Sequence, residues 1–123
     1  MASLINWFSL PVADLDRANA FYNTILATEL IRTQGPDGSD TAFFTDPESG
    51  MYAGALSTGA HLQPGKEGAQ IFFNVDGTMD AVLQRITRAD GTVLMSKTGI
   101  GEFGYIASFL DSEGNMIGLH SAS

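Results

Sequence analysis

One pattern limits what this chain can fold into more than any other: it repeats itself. A strand-like run at residues 4–11 (LINWFSLP) leads into a helix that Asp14 caps. That helix carries Leu15, Ala18, Phe21, Tyr22, Ile25 and Leu26 on one stripe. A second run, at 70–75 (QIFFNV), leads into a helix with Met79, Val82, Leu83 and Ile86 on one face, which Asp90-Gly91 stops. Three strand-like segments follow each helix, at 29–33, 41–45 and 51–57 and then at 92–97, 105–110 and 115–120, separated by turn-forming stretches such as QGPDGSD and DPESG. The order is βαβββ twice. Val12 and Val75 each close the strand before a helix and are 63 positions apart; Gly54 and Gly118, each in a late strand after an acidic turn, are 64 apart. Neither half can bury a core alone, so the two must pack together. Gly118 stands in mid-strand, where glycine weakens a ladder unless something needs the space.

Composition narrows the class. The chain has 123 residues and no cysteine, which rules out thiol nucleophiles, thiolate metal sites and disulfides. Its formal charge of −8 repels nucleic-acid phosphate and favours cations weakly at long range. No apolar run approaches the roughly 18 residues that cross a bilayer, and the N-terminus lacks the features of a signal peptide. The expectation is a soluble, cytoplasmic protein with neither nucleic-acid nor membrane partners.

Two stretches carry a family resemblance. Residues 10–30 (LPVADLDRANAFYNTILATEL), with Asp-x-x-x-Ala-x-x-Phe-Tyr, and residues 109–121 (FLDSEGNMIGLHS), with Asp-x-x-Gly-Asn before a last strand, resemble the vicinal oxygen chelate superfamily of glyoxalases, bleomycin- and fosfomycin-resistance proteins and extradiol dioxygenases. The resemblance implies an α+β fold of two βαβββ modules, about 1–58 and 68–123 with a crossover at 59–67. It implies curved sheets forming a funnel that holds the ligand, and a homodimer. In metal-dependent members four side chains, from the first and last strand of each module, hold one divalent ion. Carried onto this chain, those positions are Trp7, Gly54, Gln70 and Gly118. Indole is only a donor and glycine has no side chain, so a single neutral amide remains. The expectation is a vestigial site without metal or other cofactor.

Strand alternation gives the funnel lining. Ile5, Trp7 and Ser9 share one face of the first strand, with Leu4, Phe8 and Leu10 under the helix. Gln70, Phe72 and Asn74 share a face of the fifth, and Met116, Gly118 and His120 one of the last. With Tyr52 and Tyr105, these make an aromatic cleft widened by two glycines and suited to a flat organic molecule. Each has a structural alternative: Trp7 as core, Gln70 as a backbone partner, Tyr105 on the rim, and His120 as a packed or solvated strand end. His61 reads as a surface residue. GIGEFG at 99–104 matches G-x-G-x-x-G, but a strand rather than a helix follows it, so it reads as a hairpin loop and not a dinucleotide site. The expected function is metal-free binding of a small organic molecule, for sequestration, carriage or sensing. The alternative is a lyase or isomerase of glyoxalase I type, metal-independent or with a non-standard metal site, with His120 as the candidate acid–base group beside Gln70 or Tyr105.

Overall fold

The computed structural model describes residues 4–34, 40–45, 53–59 and 62–123. These form β1 (Phe8–Pro11), α1 (Leu15–Leu26), β2 (Ile31–Gln34), β3 (Asp40–Phe43), β4 (Gly54–Ser57), β5 (Phe72–Asn74), α2 (Met79–Arg88), β6 (Thr92–Gly99), β7 (Tyr105–Leu110) and β8 (Met116–Ser121). One sheet runs β1-β4-β3-β2 and the other β5-β8-β7-β6. In each, the first strand pairs parallel with the last and the other pairs are antiparallel. The doubled βαβββ order of the sequence is thus the doubled sheet of the fold.

Both helices form where the apolar stripes place them. The Asp14 carboxylate accepts from the Arg17 N–H at 3.0 Å and caps α1. Asp90, with φ 68°, turns the chain out of α2, and the Gly91 N–H returns to the Ile86 carbonyl at 2.8 Å. The first strand is shorter than expected: its ladder with β4 begins at Phe8 opposite Gly54. Leu4, expected under the helix, lies upstream of that ladder and is fully exposed.

Register fixes which way each row of side chains faces. Leu10, Leu56 and Ala42 form one row of the first sheet, and Phe73, Leu119 and Ala107 one row of the second. All belong to the core shared with Phe21, Tyr22, Ile25, Val82 and Ile86 of the helices. The helices therefore cover one side of each sheet. Phe8, Tyr22, Phe44 and Phe73 interlock there, with ring centroids between 5.1 and 6.2 Å apart, and bridge the two halves.

The Asp111–Asn115 turn locks the halves together. The Asp111 carboxylate accepts from the Tyr22 hydroxyl at 2.6 Å and from the backbone N–H groups of Glu113 and Asn115. Burial, then the adjacent Asp111 charge, pushes the Tyr22 hydroxyl well above the ordinary tyrosine range, so it stays a donor. The Asn115 amide donates to the Pro11 carbonyl at 2.7 Å and accepts from Gly65 of the crossover at 3.0 Å. Glu113 accepts from the N–H groups of Ala13 and Asp14, at 2.9 Å each, and pairs with Arg17 at 2.7 Å. The turn before β8 therefore caps the helix of the other half.

Candidate functional site

The sheet sides turned away from the helices are the open faces. On the first sheet the open row is Ser9, Ala55, Phe43 and Ile31; on the second it is Phe72, Gly118, Ser108 and Met95. Trp7 stands just before β1 and packs edge-on against Phe43, with centroids 5.7 Å apart, leaving the indole 37% exposed. The sequence did not single out Phe43. It sits beside Phe44, and only the register shows that the first faces outward and the second inward.

Gly54 does not face this side. It lies in the row of Phe8, two residues before the buried Leu56, and so points toward the helices. A Cβ there would lie 2.5 Å from both the Phe8 ring and the Phe8 carbonyl oxygen. The open-face counterpart of Gly118 is Ala55, 63 positions earlier, rather than Gly54. The glycine spacing of 64 misleads by one residue, and one residue reverses a strand's faces.

Gly118 does face the open side, but it does not widen the cleft. A Cβ on it would run into the ring of Phe72 across the parallel pair. The ring lies over the bare backbone and is itself 46% exposed. This cross-strand cover explains a mid-strand glycine: the aromatic ring takes the space a side chain would fill. A carboxylate at this corner would have to displace it.

The structure places the remaining candidates as follows. Gln70, just ahead of β5, is exposed and has no hydrogen-bond partner among the described residues. Asn74 is on the open face, and its Oδ1 accepts from the Asp76 N–H at 3.0 Å, closing the turn after β5. Met116 and His120 flank Gly118 on the same face of β8. His120 Nε2 lies 2.7 Å from the Phe103 carbonyl oxygen, which can only accept, so this nitrogen carries the hydrogen and Nδ1 is the basic atom. His120 thereby holds the Gly99–Gly104 loop, which forms a hairpin with one 3₁₀ turn. Tyr105 is not on the open face. It shares a strand face with the buried Ala107 and Phe109, and the Lys97 ammonium covers its ring at 4.6 Å while pairing with Asp80 of α2 at 3.8 Å. Tyr52 and His61 lie outside the described residues.

A scan against protein families matches the Glyoxalase/Bleomycin resistance protein/Dioxygenase superfamily over residues 4–119. The chain belongs to this superfamily. No curated protein matches the chain. Among solved structures, it is similar to a glyoxalase/bleomycin resistance protein from Albidiferax ferrireducens T118, with 20% identity, TM-score 0.72, and 97% of this chain and 99% of that one covered. It is also similar to the fosfomycin resistance protein FosX from Listeria monocytogenes, with 18% identity, TM-score 0.71, and 100% and 96% covered. The hypothetical protein SA1046 from S. aureus gives 20% identity, TM-score 0.69, and 98% and 95% covered. At these identities the likeness establishes the fold alone.

The residues at the superfamily's metal corners do not fit a divalent ion. With the register corrected they are Trp7, Ala55, Gln70 and Gly118. Only Gln70 offers a neutral oxygen, and hard or borderline cations need several such donors or an imidazole. No three His, Asp or Glu side chains among the described residues converge on a common point.

Proposed function

We propose that this superfamily member is a metal-free receptor for a small organic molecule, bound on the open sheet faces and used for sequestration, carriage or sensing in the cytoplasm. The observation that carries the reading is the Phe72 ring seated on Gly118, at the corner where a metal-binding relative would project a ligand. Superfamily members bind small molecules, and here that corner offers a π surface flanked by Met116, Gln70 and His120. Trp7 with Phe43 provides a second aromatic surface on the other sheet, next to Ser9. Such lining favours a flat, largely apolar ligand with few hydrogen-bonding groups. Exposed Trp7, Ile31, Phe72 and Leu94 favour a homodimer in which a second copy closes each open face.

The test pairs two titrations of the full chain. Calorimetry with Mn²⁺, Ni²⁺ and Zn²⁺ is expected to give no micromolar binding. Ligand-observed NMR with a panel of aromatic fragments is expected to yield binders whose signals weaken in Phe72→Ala. Micromolar binding of any of the three ions overturns the metal-free reading. Fragment binding indifferent to Phe72→Ala and Trp7→Ala overturns the assigned face.

A further inference from the structure

Away from the Phe72 corner, the two sheets leave a second recess. It is a cavity of about 300 Å³ where the edge of β1 meets the beginnings of β5 and β8, and the crossover forms its remaining wall. The floor is apolar, from Phe8, Ile71 and Met116 among others; Ser9 and Gln63 supply neutral polar groups, and Glu67 is the one charged side chain on the wall. We propose that this seam cavity binds a small organic cation, with its ammonium against Glu67 and its apolar body on Phe8, Ile71 and Met116.

Three observations support the assignment. The wall is held in place: the Gly65 N–H donates to Asn115 Oδ1 at 3.0 Å, and the Met116 N–H donates to the Gly65 carbonyl at 3.4 Å. The crossover is therefore bound to the turn that joins the halves. Glu67 is exposed and makes no ion pair or hydrogen bond with any described residue, so its charge is available to an incoming group. The chain's net charge of −8 favours approach of a cation over an anion. A single exposed carboxylate binds a bare ammonium weakly, and an apolar floor alone does not discriminate by charge. Together they select a molecule with both parts. This site shares Ser9 and Met116 with the open faces but does not include Phe72, so Phe72→Ala separates the two readings.

The experiment is an amide NMR titration of the full chain with benzyltrimethylammonium, alongside benzyl alcohol and phenylmethanesulfonate as neutral and anionic comparators. Saturable shifts are expected at Gly65, Glu67 and Met116 with the cation, and weaker or no saturation with the other two. Glu67→Gln is expected to weaken cation binding roughly three- to fivefold, the upper range for an exposed ion pair. Phe72→Ala is expected to leave it unchanged. The proposal is overturned if these amides show no saturable shift, if the sulfonate binds as well as the cation, if Glu67→Gln has no effect, or if Phe72→Ala reduces binding as much as Glu67→Gln does.

Discussion

The two halves agree on the sides that meet the helices and differ on the sides that do not. Leu10 and Phe73, Val12 and Val75, and Leu56 and Leu119 correspond 63 positions apart, and all but the half-buried Phe73 are buried. Between them, Leu15, Ala18 and Tyr22 of α1 correspond to Met79, Val82 and Ile86 of α2 at 64, because the second half has one extra residue before its helix. On the open faces the pairs are Trp7 with Gln70, Ser9 with Phe72, and Ala55 with Gly118. Each half thus places one ring and one polar residue near its corner, but in opposite order. In the second half the ring at the inner position takes the space opposite a glycine; in the first, serine stands at that position and alanine opposite it. Packing holds the helix side to a fixed pattern. The open side is free of that constraint and differs between the halves.

The most severe way to break the comparison is to cut the shared row in both halves. Leu56→Ala and Leu119→Ala each remove a fully buried side chain from the common core, and each should cost about 3 kcal/mol by urea unfolding. A loss below about 1 kcal/mol for one of the two would show that its half is not packed as its counterpart is, since a Leu→Ala change in a tight core lies well above that.

The glycines sharpen the comparison at smaller cost. Were both in open space, Gly→Ala would stabilise each strand by roughly 0.5–1 kcal/mol. Instead Gly54→Ala should destabilise by about 2 kcal/mol or more, because the new methyl meets the Phe8 carbonyl as well as its ring. Gly118→Ala should cost about 1 kcal/mol, because the ring of Phe72 can rotate away. The double-mutant cycles distinguish the two cases. Phe72→Ala should recover most of the Gly118→Ala loss, whereas Phe8→Ala should not recover the Gly54→Ala loss, since the backbone obstacle remains. Equal rescue in both cycles would contradict a backbone obstacle at Gly54 that Gly118 lacks.

This contrast also marks how far the sequence could be read. Apolar periodicity gave both helices and the strand order, because burial against a shared core imposes periods of 3.6 and 2 that survive in the residue pattern. Gly118 was legible as an anomaly, but not its cause: the ring that covers it lies 46 positions away, across a parallel pair whose register no local signal sets. The repeat, aligned by its most visible residues, puts Gly54 on the wrong face, because a one-residue error inverts a strand. Tyr105, after the glycine loop, reads as lining the cleft or sitting on its rim, whereas it shares a strand face with Ala107 and Phe109 on the helix side. The Asp-x-x-Gly-Asn motif reads as a turn; that the same residues join the two halves through Tyr22, Pro11 and Gly65 depends on contacts about 50 to 100 positions apart.

The halves also differ in how their helices begin, and acid should expose the difference. The N-cap of α2, Thr78, makes no side-chain capping bond, while α1 has Asp14 and, in addition, Glu113 from the other half. Partial burial alone would raise the Glu113 carboxyl. Its bonds to Arg17, Asp14, Ser112 and Ala13 outweigh that and lower it from 4.5 to about 2. A carboxyl lowered in the folded state binds protons more readily when unfolded. Its stabilising contribution is therefore complete above pH 4.5 and lost as pH falls toward about 2. Because Arg17 is half exposed, solvent screening reduces the effect to about 1 kcal/mol. Urea unfolding of the native chain and of Glu113→Gln should differ by that amount near neutrality and converge toward pH 2. High salt should narrow the gap at neutral pH. A gap of constant size down to pH 2 would mean that the glutamate acts through packing alone. The joint between the halves would then owe nothing to charge at the helix N-terminus.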